Sequence, residues 1–123
     1  MDDKDFSYRN LIVWQKAMQF TRQVYMMICN FPAIEKFALA DQLRRAAVSI
    51  PSNIAEGCGR ASNRDYAHFL SIARGSLYET MSQLEMAKEF GYLESIDEAE
   101  AWAAEISRML TTLMKKYTLL SNS

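Results

Sequence analysis

The chain has few of the residues that carry metal or redox chemistry, and few that interrupt helices. Its 123 residues include one histidine, two cysteines, two prolines and four glycines. A single histidine cannot supply the two Glu-x-x-His motifs of ferritin-like bundles, so that chemistry is excluded. Two cysteines provide neither a disulfide framework nor a zinc site. The shortage of turn-forming residues does not suit a β-sandwich.

Long hydrophobic runs and a strong net charge are also missing. The longest apolar runs are about five residues, whereas a membrane-spanning helix needs ~20. The first residues, MDDKDF, are acidic and polar and do not resemble a signal peptide. We therefore expect a cytoplasmic protein that has no membrane partner and needs neither a metal nor another cofactor.

The net charge of −1 excludes a strongly basic protein that coats nucleic acid, but the charges are unevenly distributed. Residues 1–74 contain ten basic and seven acidic residues, a balance of +3. Residues 75–123 contain four and eight, a balance of −4. The first half therefore offers a modestly positive face.

Half of the residues are hydrophobic, and they recur at helical spacings in four segments. These segments are about residues 11–31, 35–57, 62–90 and 96–120. The connections between them are short, which makes successive helices antiparallel. The sequence thus predicts one all-α domain over residues 1–123, an up-down-up-down antiparallel four-helix bundle.

Caps and glycines mark where these helices end or touch. Ser62, followed three residues later by Asp65, resembles a capping box at the start of the third helix. We expect Gly57 and Gly59 to end the second helix, because glycine accepts the left-handed conformation that closes helices. Gly75 lies inside the third helix and predicts a close helix contact there.

A proline, Pro51, lies inside the second helical pattern among many small residues. A proline in a helix removes one backbone hydrogen bond and costs about 3 kcal/mol or more. We expect a bent helix packed closely against its neighbours, with Ser49 and Ser52 bonding the carbonyls that the proline exposes.

The first helical segment carries two apolar stripes, and a bundle core needs only one. We assign the stripe with Leu11, Trp14, Met18, Thr21, Tyr25 and Ile28 to the core. The second stripe then remains for contact with another subunit. The predicted oligomer interface consists of Val13, Phe20 and Met27 from the first segment and Ala47, Pro51 and Ala55 from the second.

Five arginines fall between residues 44 and 74, where Glu56 and Asp65 are the only acids. They are Arg44, Arg45, Arg60, Arg64 and Arg74. Arginine binds phosphate bidentately, and Tyr66 and His68 could add stacking, so this set predicts an RNA or DNA phosphate surface. The alternative is a solvated face with ion pairs between subunits. Copies arrayed in a ring would strengthen a weak patch through multivalency.

Catalytic motifs are scarce. A serine nucleophile would have one histidine to serve as its base, and no phosphate-binding loop is present. Asn53 and Glu56 lie three residues apart just beyond Pro51, and they could form a polar site at the bend. The alternative is that they satisfy backbone groups or a subunit contact.

Four segments together resemble a known family. They are VWQKAM at 13–18, QLRRAAVSIPSNIAEGCGR at 42–60, FLSIARGSLYET at 69–80 and FGYL at 90–93. The chain resembles the bacterial four helix bundle proteins, also called 23S rRNA-intervening sequence proteins, over about residues 6–115. The resemblance implies an antiparallel four-helix bundle that assembles as a ring-shaped homopentamer. The family has no settled catalytic residues, so none is carried over.

The chain is also distantly similar to the accessory variability determinant (Avd) proteins of diversity-generating retroelements. Those are basic pentameric bundles that bind a reverse transcriptase and nucleic acid, whereas this chain is acidic, with a pI near 5.8. Our hypothesis is a non-enzymatic homo-oligomeric adaptor, a pentamer by resemblance, with an RNA or DNA phosphate surface. Its rivals are a protein-only scaffold that binds a reverse transcriptase, and an enzyme with its site at Asn53 and Glu56.

Overall fold

The computed structural model describes residues 3–122, which fold into the predicted antiparallel four-helix bundle with no strand among them. The helices are α1 (Ile12–Ile28), α2 (Leu39–Cys58), α3 (Asn63–Glu89) and α4 (Asp97–Ser121), with short 3-10 helices at Asp3–Asn10 and Ala33–Glu35. Around the bundle, α1 contacts α2 and α4, and α3 contacts the same two helices. The pairs α1 with α3 and α2 with α4 are therefore diagonal.

The connection between α1 and α2 is longer than predicted. α1 ends at Ile28, because the amides of residues 29–31 bond carbonyls three residues back and tighten the chain before Pro32. α2 begins at Leu39 rather than Glu35, whose carboxylate accepts a 3.2 Å hydrogen bond from the Leu39 amide.

The two ends of α3 follow ordinary capping chemistry. Ser62 accepts a 3.1 Å hydrogen bond from the amide of Asp65, which confirms the predicted N-cap. At the other end Gly91 adopts a positive φ of 86°, and the Tyr92 amide bonds the Ala87 carbonyl at 2.9 Å. This is a Schellman motif, in which the left-handed residue must be one without a Cβ penalty.

The predictions for Gly57 and Gly59 are confirmed only in part. Gly59 caps α2, as predicted, but with a φ of −85°, so it is not left-handed, and Gly57 lies inside the helix. A Cβ on Gly57 would lie 2.8 Å from the Tyr66 ring and 3.0 Å from Phe69, so this glycine permits the close approach of α3. Around Gly75 there is open space, and the close contact predicted there is absent.

The core is formed by the stripe of α1 that sequence analysis placed at a subunit interface. Its buried members are Val13, Ala17, Phe20 and Val24, and Ile28 of the other stripe is buried with them, as predicted. They pack with buried residues of the other three helices into one cluster. The interface assignment of Val13 and Phe20 was therefore wrong, and so was that of Ala47, which is fully buried in the same cluster. Both stripes of α1 are apolar, so periodicity could not distinguish them.

The proline in α2 is accommodated by a residue of α1. Pro51 has no N–H, so the Ala47 carbonyl loses its helical partner. The Thr21 hydroxyl lies 3.1 Å from that carbonyl oxygen and 2.8 Å from the Ala17 carbonyl in its own helix. The expected role of Ser49 was wrong, because its hydroxyl lies 2.8 Å from that of Ser76 on α3.

We predict that Thr21→Val destabilises the bundle by about 1–2 kcal/mol, because it leaves the Ala47 carbonyl buried without a partner. In a Pro51→Ala background the new amide at position 51 can bond that carbonyl, so the same change should cost much less. Urea unfolding of the wild type, the two single variants and the double variant gives the coupling energy between positions 21 and 51.

The control is Thr112→Val, because the Thr112 hydroxyl bonds only the Arg108 carbonyl in its own helix and is exposed. This change should stay within about 0.5 kcal/mol of the parent protein. Equal costs of Thr21→Val in both backgrounds would contradict the assigned role of Thr21.

We also predict opposite effects of alanine at two helical glycines. Gly57→Ala should destabilise by about 1–3 kcal/mol, because Tyr66, itself stacked on Tyr117, has little room to move. Gly75→Ala should stabilise by about 0.5–1 kcal/mol through helix propensity alone. The melting temperatures of both variants, compared with that of the parent protein, measure these effects. A Gly57→Ala protein as stable as the parent would contradict the close packing of α2 against α3.

Candidate interaction surfaces

An apolar groove runs along the outer side of α1 and α2. We call it the α1–α2 groove; it has a volume of about 570 Å³. It is lined by Trp14, Met18, Thr21, Arg22, Tyr25, Val48, Pro51, Ser52 and Ala55. Met18, Tyr25 and Val48 remain 45%, 43% and 41% exposed. Trp14, Met18, Thr21 and Tyr25 belong to the stripe that sequence analysis assigned to the core. Of that stripe, Ile28 is buried in the core and Leu11 packs against it, as predicted.

The remaining residues of the predicted interface divide between core and groove. Pro51 is buried but contributes to the floor of the α1–α2 groove, and half-buried Ala55 lies beside it. Met27 is half-buried and packs against the core cluster. The structure therefore keeps an apolar outer face on α1 and α2, but builds it mainly from other side chains.

A second groove lies between α3 and α4 on the opposite side of the bundle. This α3–α4 groove has a volume of about 410 Å³. It is lined by Leu77, Tyr78, Met81, Glu85, Glu100, Ala103, Ala104, Ser107 and Arg108. Within residues 3–122, neither Glu85 nor Glu100 forms an ion pair. The groove thus combines an apolar floor with two unpaired carboxylates.

The first two predicted phosphate ligands are held by one carboxylate. Arg45 Nε lies 3.1 Å from Asp41 Oδ2, and Arg44 Nη2 lies 3.6 Å from Asp41 Oδ1. The hydrogen bond from Arg45 lowers the pKa of Asp41. Arg44 also donates to the Lys36 carbonyl at 3.0 Å. Asp41 therefore offsets part of the positive charge at this end of α2.

The other three arginines lie elsewhere. Arg60 contacts Glu56 at 2.7 Å, and its guanidinium lies 4.6 Å from the centre of the Phe69 ring. Arg64 is exposed and has no ion pair in the part of the chain that the structure describes. Arg74 lies 5.8 Å from the Tyr78 ring, on the α3–α4 side.

The structure does not gather the five arginines into one patch. Arg45 lies in α2 and Arg60 just beyond its end, so the two are about 20 Å apart along the helix axis at a rise of ~1.5 Å per residue. The expected stacking role of Tyr66 also fails, because its ring lies 4.4 Å from that of Tyr117 and it is half-buried. Burial and the neighbouring Cys58 raise the pKa of its hydroxyl. His68, in contrast, is exposed.

The proposed polar site at the bend is not assembled. The Asn53 amide donates to the Ser49 carbonyl at 2.7 Å and to the Ser49 hydroxyl at 2.8 Å. Glu56 is exposed and bonds Arg60 instead. No group of three or more histidine, cysteine or acidic residues suited to a metal occurs among the residues described. Among residues 3–122, no helix has both the length and the apolar character that a membrane crossing requires.

A surface that sequence analysis missed lies at the end of the bundle between α1 and α2. Ile34 and Phe37 are 84% and 86% exposed, the largest values among the exposed large apolar side chains of the described chain. Glu35 lies between them and accepts a 2.7 Å hydrogen bond from the Tyr92 hydroxyl. That bond raises the pKa of Tyr92. The prediction of one continuous helix from residue 35 concealed this exposed turn.

The fold defines an all-α protein of the antiparallel four-helix bundle class. The family model described as 23S rRNA-intervening sequence protein matches residues 9–112, so the chain belongs to that family. This confirms the resemblance that its sequence segments indicated.

A solved structure supports the same assignment. It is a crystal structure of a protein with unknown function from the S23 ribosomal protein family of Bacteroides thetaiotaomicron. The two chains share 26% sequence identity with a TM-score of 0.75, over 85% of this chain and 99% of the other. No curated protein matches this chain.

Proposed function

We propose that the protein is a non-enzymatic homo-oligomeric adaptor whose subunits associate through the α1–α2 groove. The observation that carries this proposal is the exposure of Met18, Tyr25 and Val48 on one outer face of a chain whose own core is already filled. Monomeric proteins rarely expose contiguous apolar patches of large size. Methionine and aromatic side chains are also the types enriched at protein interfaces. The sequence resemblance supports a pentamer.

The adaptor role rests on a second surface that is separate from the groove. Ile34 and Phe37 project from the end of the bundle on a turn fixed by Glu35, which bonds both Tyr92 and the Leu39 amide. A fixed turn loses little conformational entropy when a partner binds. Subunits that associate through their sides would leave these ends available for another protein.

We predict that the wild-type protein has a native mass of several times the 14.1 kDa of one chain, about fivefold for a pentamer. Met18→Ser combined with Val48→Ser should shift the mass towards that of the monomer, because it removes apolar area from the groove. Light scattering at micromolar concentration measures both proteins.

The matched control is Ile34→Ser with Phe37→Ser, which removes more exposed apolar area but lies outside the groove. This variant should keep the wild-type mass, and far-UV circular dichroism should show that every variant remains folded. A wild-type protein that scatters as a 14.1 kDa monomer would overturn the proposal.

A second candidate function is the binding of RNA or DNA phosphates at the turn between α2 and α3. What supports it is the position of Arg64, which is exposed and unpaired within residues 3–122, one helical turn from exposed His68. Arg60 lies nearby but shares its charge with Glu56. Repetition of this weak site in an oligomer would raise its affinity through multivalency.

We predict that Arg60→Ala with Arg64→Ala weakens binding of single-stranded RNA in a low-salt gel shift by about tenfold or more. Arg44→Ala with Arg45→Ala removes the same charge but at the site held by Asp41, so it should change affinity by no more than about twofold. Equal effects of the two pairs would contradict this location. The absence of any RNA or DNA binding would leave the adaptor as a protein-only scaffold.

A further inference from the structure

We infer that Ile34, Phe37 and Phe90, which we call the apolar end surface, bind a partner protein that offers apolar side chains bordered by lysine or arginine. This inference rests on the proposed function, because it names the chemistry of the adaptor's partner. It concerns the end of the bundle, which lies outside both the α1–α2 groove and the α3–α4 groove.

The apolar end surface draws on both chain connections at this end of the bundle. Ile34, Phe37 and Phe90 are 84%, 86% and 58% exposed. The Phe90 ring centre lies 5.9 Å from that of Tyr92. The Tyr92 hydroxyl in turn bonds Glu35, which stands between Ile34 and Phe37 in the chain. Tyr92 therefore connects the connection after α3 to the turn before α2.

The packing of the bundle does not require these three side chains to be apolar. The core cluster and the half-buried side chains around it include none of Ile34, Phe37 and Phe90. The turn itself is fixed by the bonds of Glu35 to Tyr92 and to the Leu39 amide. Large apolar side chains held on a fixed backbone are the kind of anchor that protein interfaces use.

Charge indicates the kind of partner. The segments at this end, residues 29–38 and 88–98, contain two basic and five acidic residues, a balance of −3. The segments at the opposite end, residues 3–11, 57–65 and 113–122, contain six and three, a balance of +3. The bundle is thus polarised along its length, and the apolar end surface lies at its acidic end. A partner with basic residues around its apolar contacts is complementary to that end.

Two of these acids lie where the fold gains little from a negative charge. Glu89 is the last residue of α3, where a carboxylate opposes the helix dipole, and it directly precedes Phe90. Glu94 lies in the loop between α3 and α4. Both are exposed, and neither forms an ion pair with any residue that the structure describes. A cation of the partner would offset the unfavourable charge at Glu89.

A second copy of the chain could also offer a basic end to this surface. Stacking of that kind does not close, because every copy added leaves one free end of each type, and the product is a filament. A separate protein of the stated chemistry binds once per subunit and leaves the assembly finite. We therefore assign the apolar end surface to a separate partner.

The test uses two fluorescent helical peptides that have the same leucine face and carry either lysine or glutamate on the polar face. Fluorescence anisotropy at low salt measures their dissociation constants with the wild-type protein. The lysine peptide should bind more tightly than the glutamate peptide by about tenfold or more. Ile34→Ser with Phe37→Ser should weaken binding of the lysine peptide by about tenfold or more. Glu89→Gln with Glu94→Gln should weaken it by about threefold or more.

Each pair of substitutions has a matched control. Ile12→Ser with Leu119→Ser removes side chains that are 58% and 70% exposed at the opposite end of the bundle. Glu56→Gln with Glu105→Gln removes the same charge from two carboxylates that are already in ion pairs. Both control proteins should bind the lysine peptide within about twofold of the wild type. Far-UV circular dichroism should show that every variant is folded.

Three results would overturn the inference: equal binding of the two peptides, wild-type affinity after Ile34→Ser with Phe37→Ser, or a wild-type mass that grows without limit as concentration rises. The last would show that a second copy occupies the surface. An oligomer of finite mass that fails the peptide test keeps the proposed association of subunits and loses only this partner. A 14.1 kDa monomer that passes the peptide test keeps the apolar end surface and loses the oligomer.

Discussion

The hydrogen bond between Thr21 and the Ala47 carbonyl bears on both the packing of α1 against α2 and the groove on the outer side of these helices. Pro51 leaves that carbonyl without a helical partner, and a buried unpaired carbonyl is costly. Thr21 offers a donor from α1, shared with the Ala17 carbonyl of its own helix, and so favours the rotation of α1 that also buries its core stripe. Because Met18 and Tyr25 lie about one turn to either side of Thr21, this rotation keeps both at the outer edge of the helix pair. The α1–α2 groove is thus lined by both partners of this arrangement, Thr21 and Pro51.

Much of the fold could be predicted from the sequence because its signals are local. Helical periodicity placed four helices, and Ser62 with Asp65 marked the start of one of them. The rotation of α1 could not be predicted in the same way. Both of its stripes are apolar, and which of them faces the core depends on packing against the other three helices. The glycines show the same limit, since Gly57 is required by side chains of α3 that no local pattern reveals.

The candidate site was harder to predict than the fold. The arginines are close in sequence. Residues of a helix are nevertheless separated along its axis and point in different directions around it, so these side chains do not meet. Carboxylates one turn away then bind several of them, as Asp41 does for Arg44 and Arg45. The exposed turn at Ile34 and Phe37 escaped notice because a single uninterrupted helix suited the pattern equally well. Functional surfaces of this bundle depend on which side chains remain unpaired after folding, and that is a property of the whole structure.

The bond between Glu35 and Tyr92 also bears on the order in which the structure forms. It joins the segment before α2 to the segment after α3, residues 57 positions apart, and so closes the open end of the hairpin that these two helices form. Contacts nearer the α2–α3 turn close shorter loops, so this tie is expected to form late in the assembly of that hairpin. Until then Tyr92 does not hold the turn that carries Ile34 and Phe37. A held turn therefore reports that α2 and α3 have paired along their full length, and a partner that binds this turn would recognise completed hairpins over nascent ones.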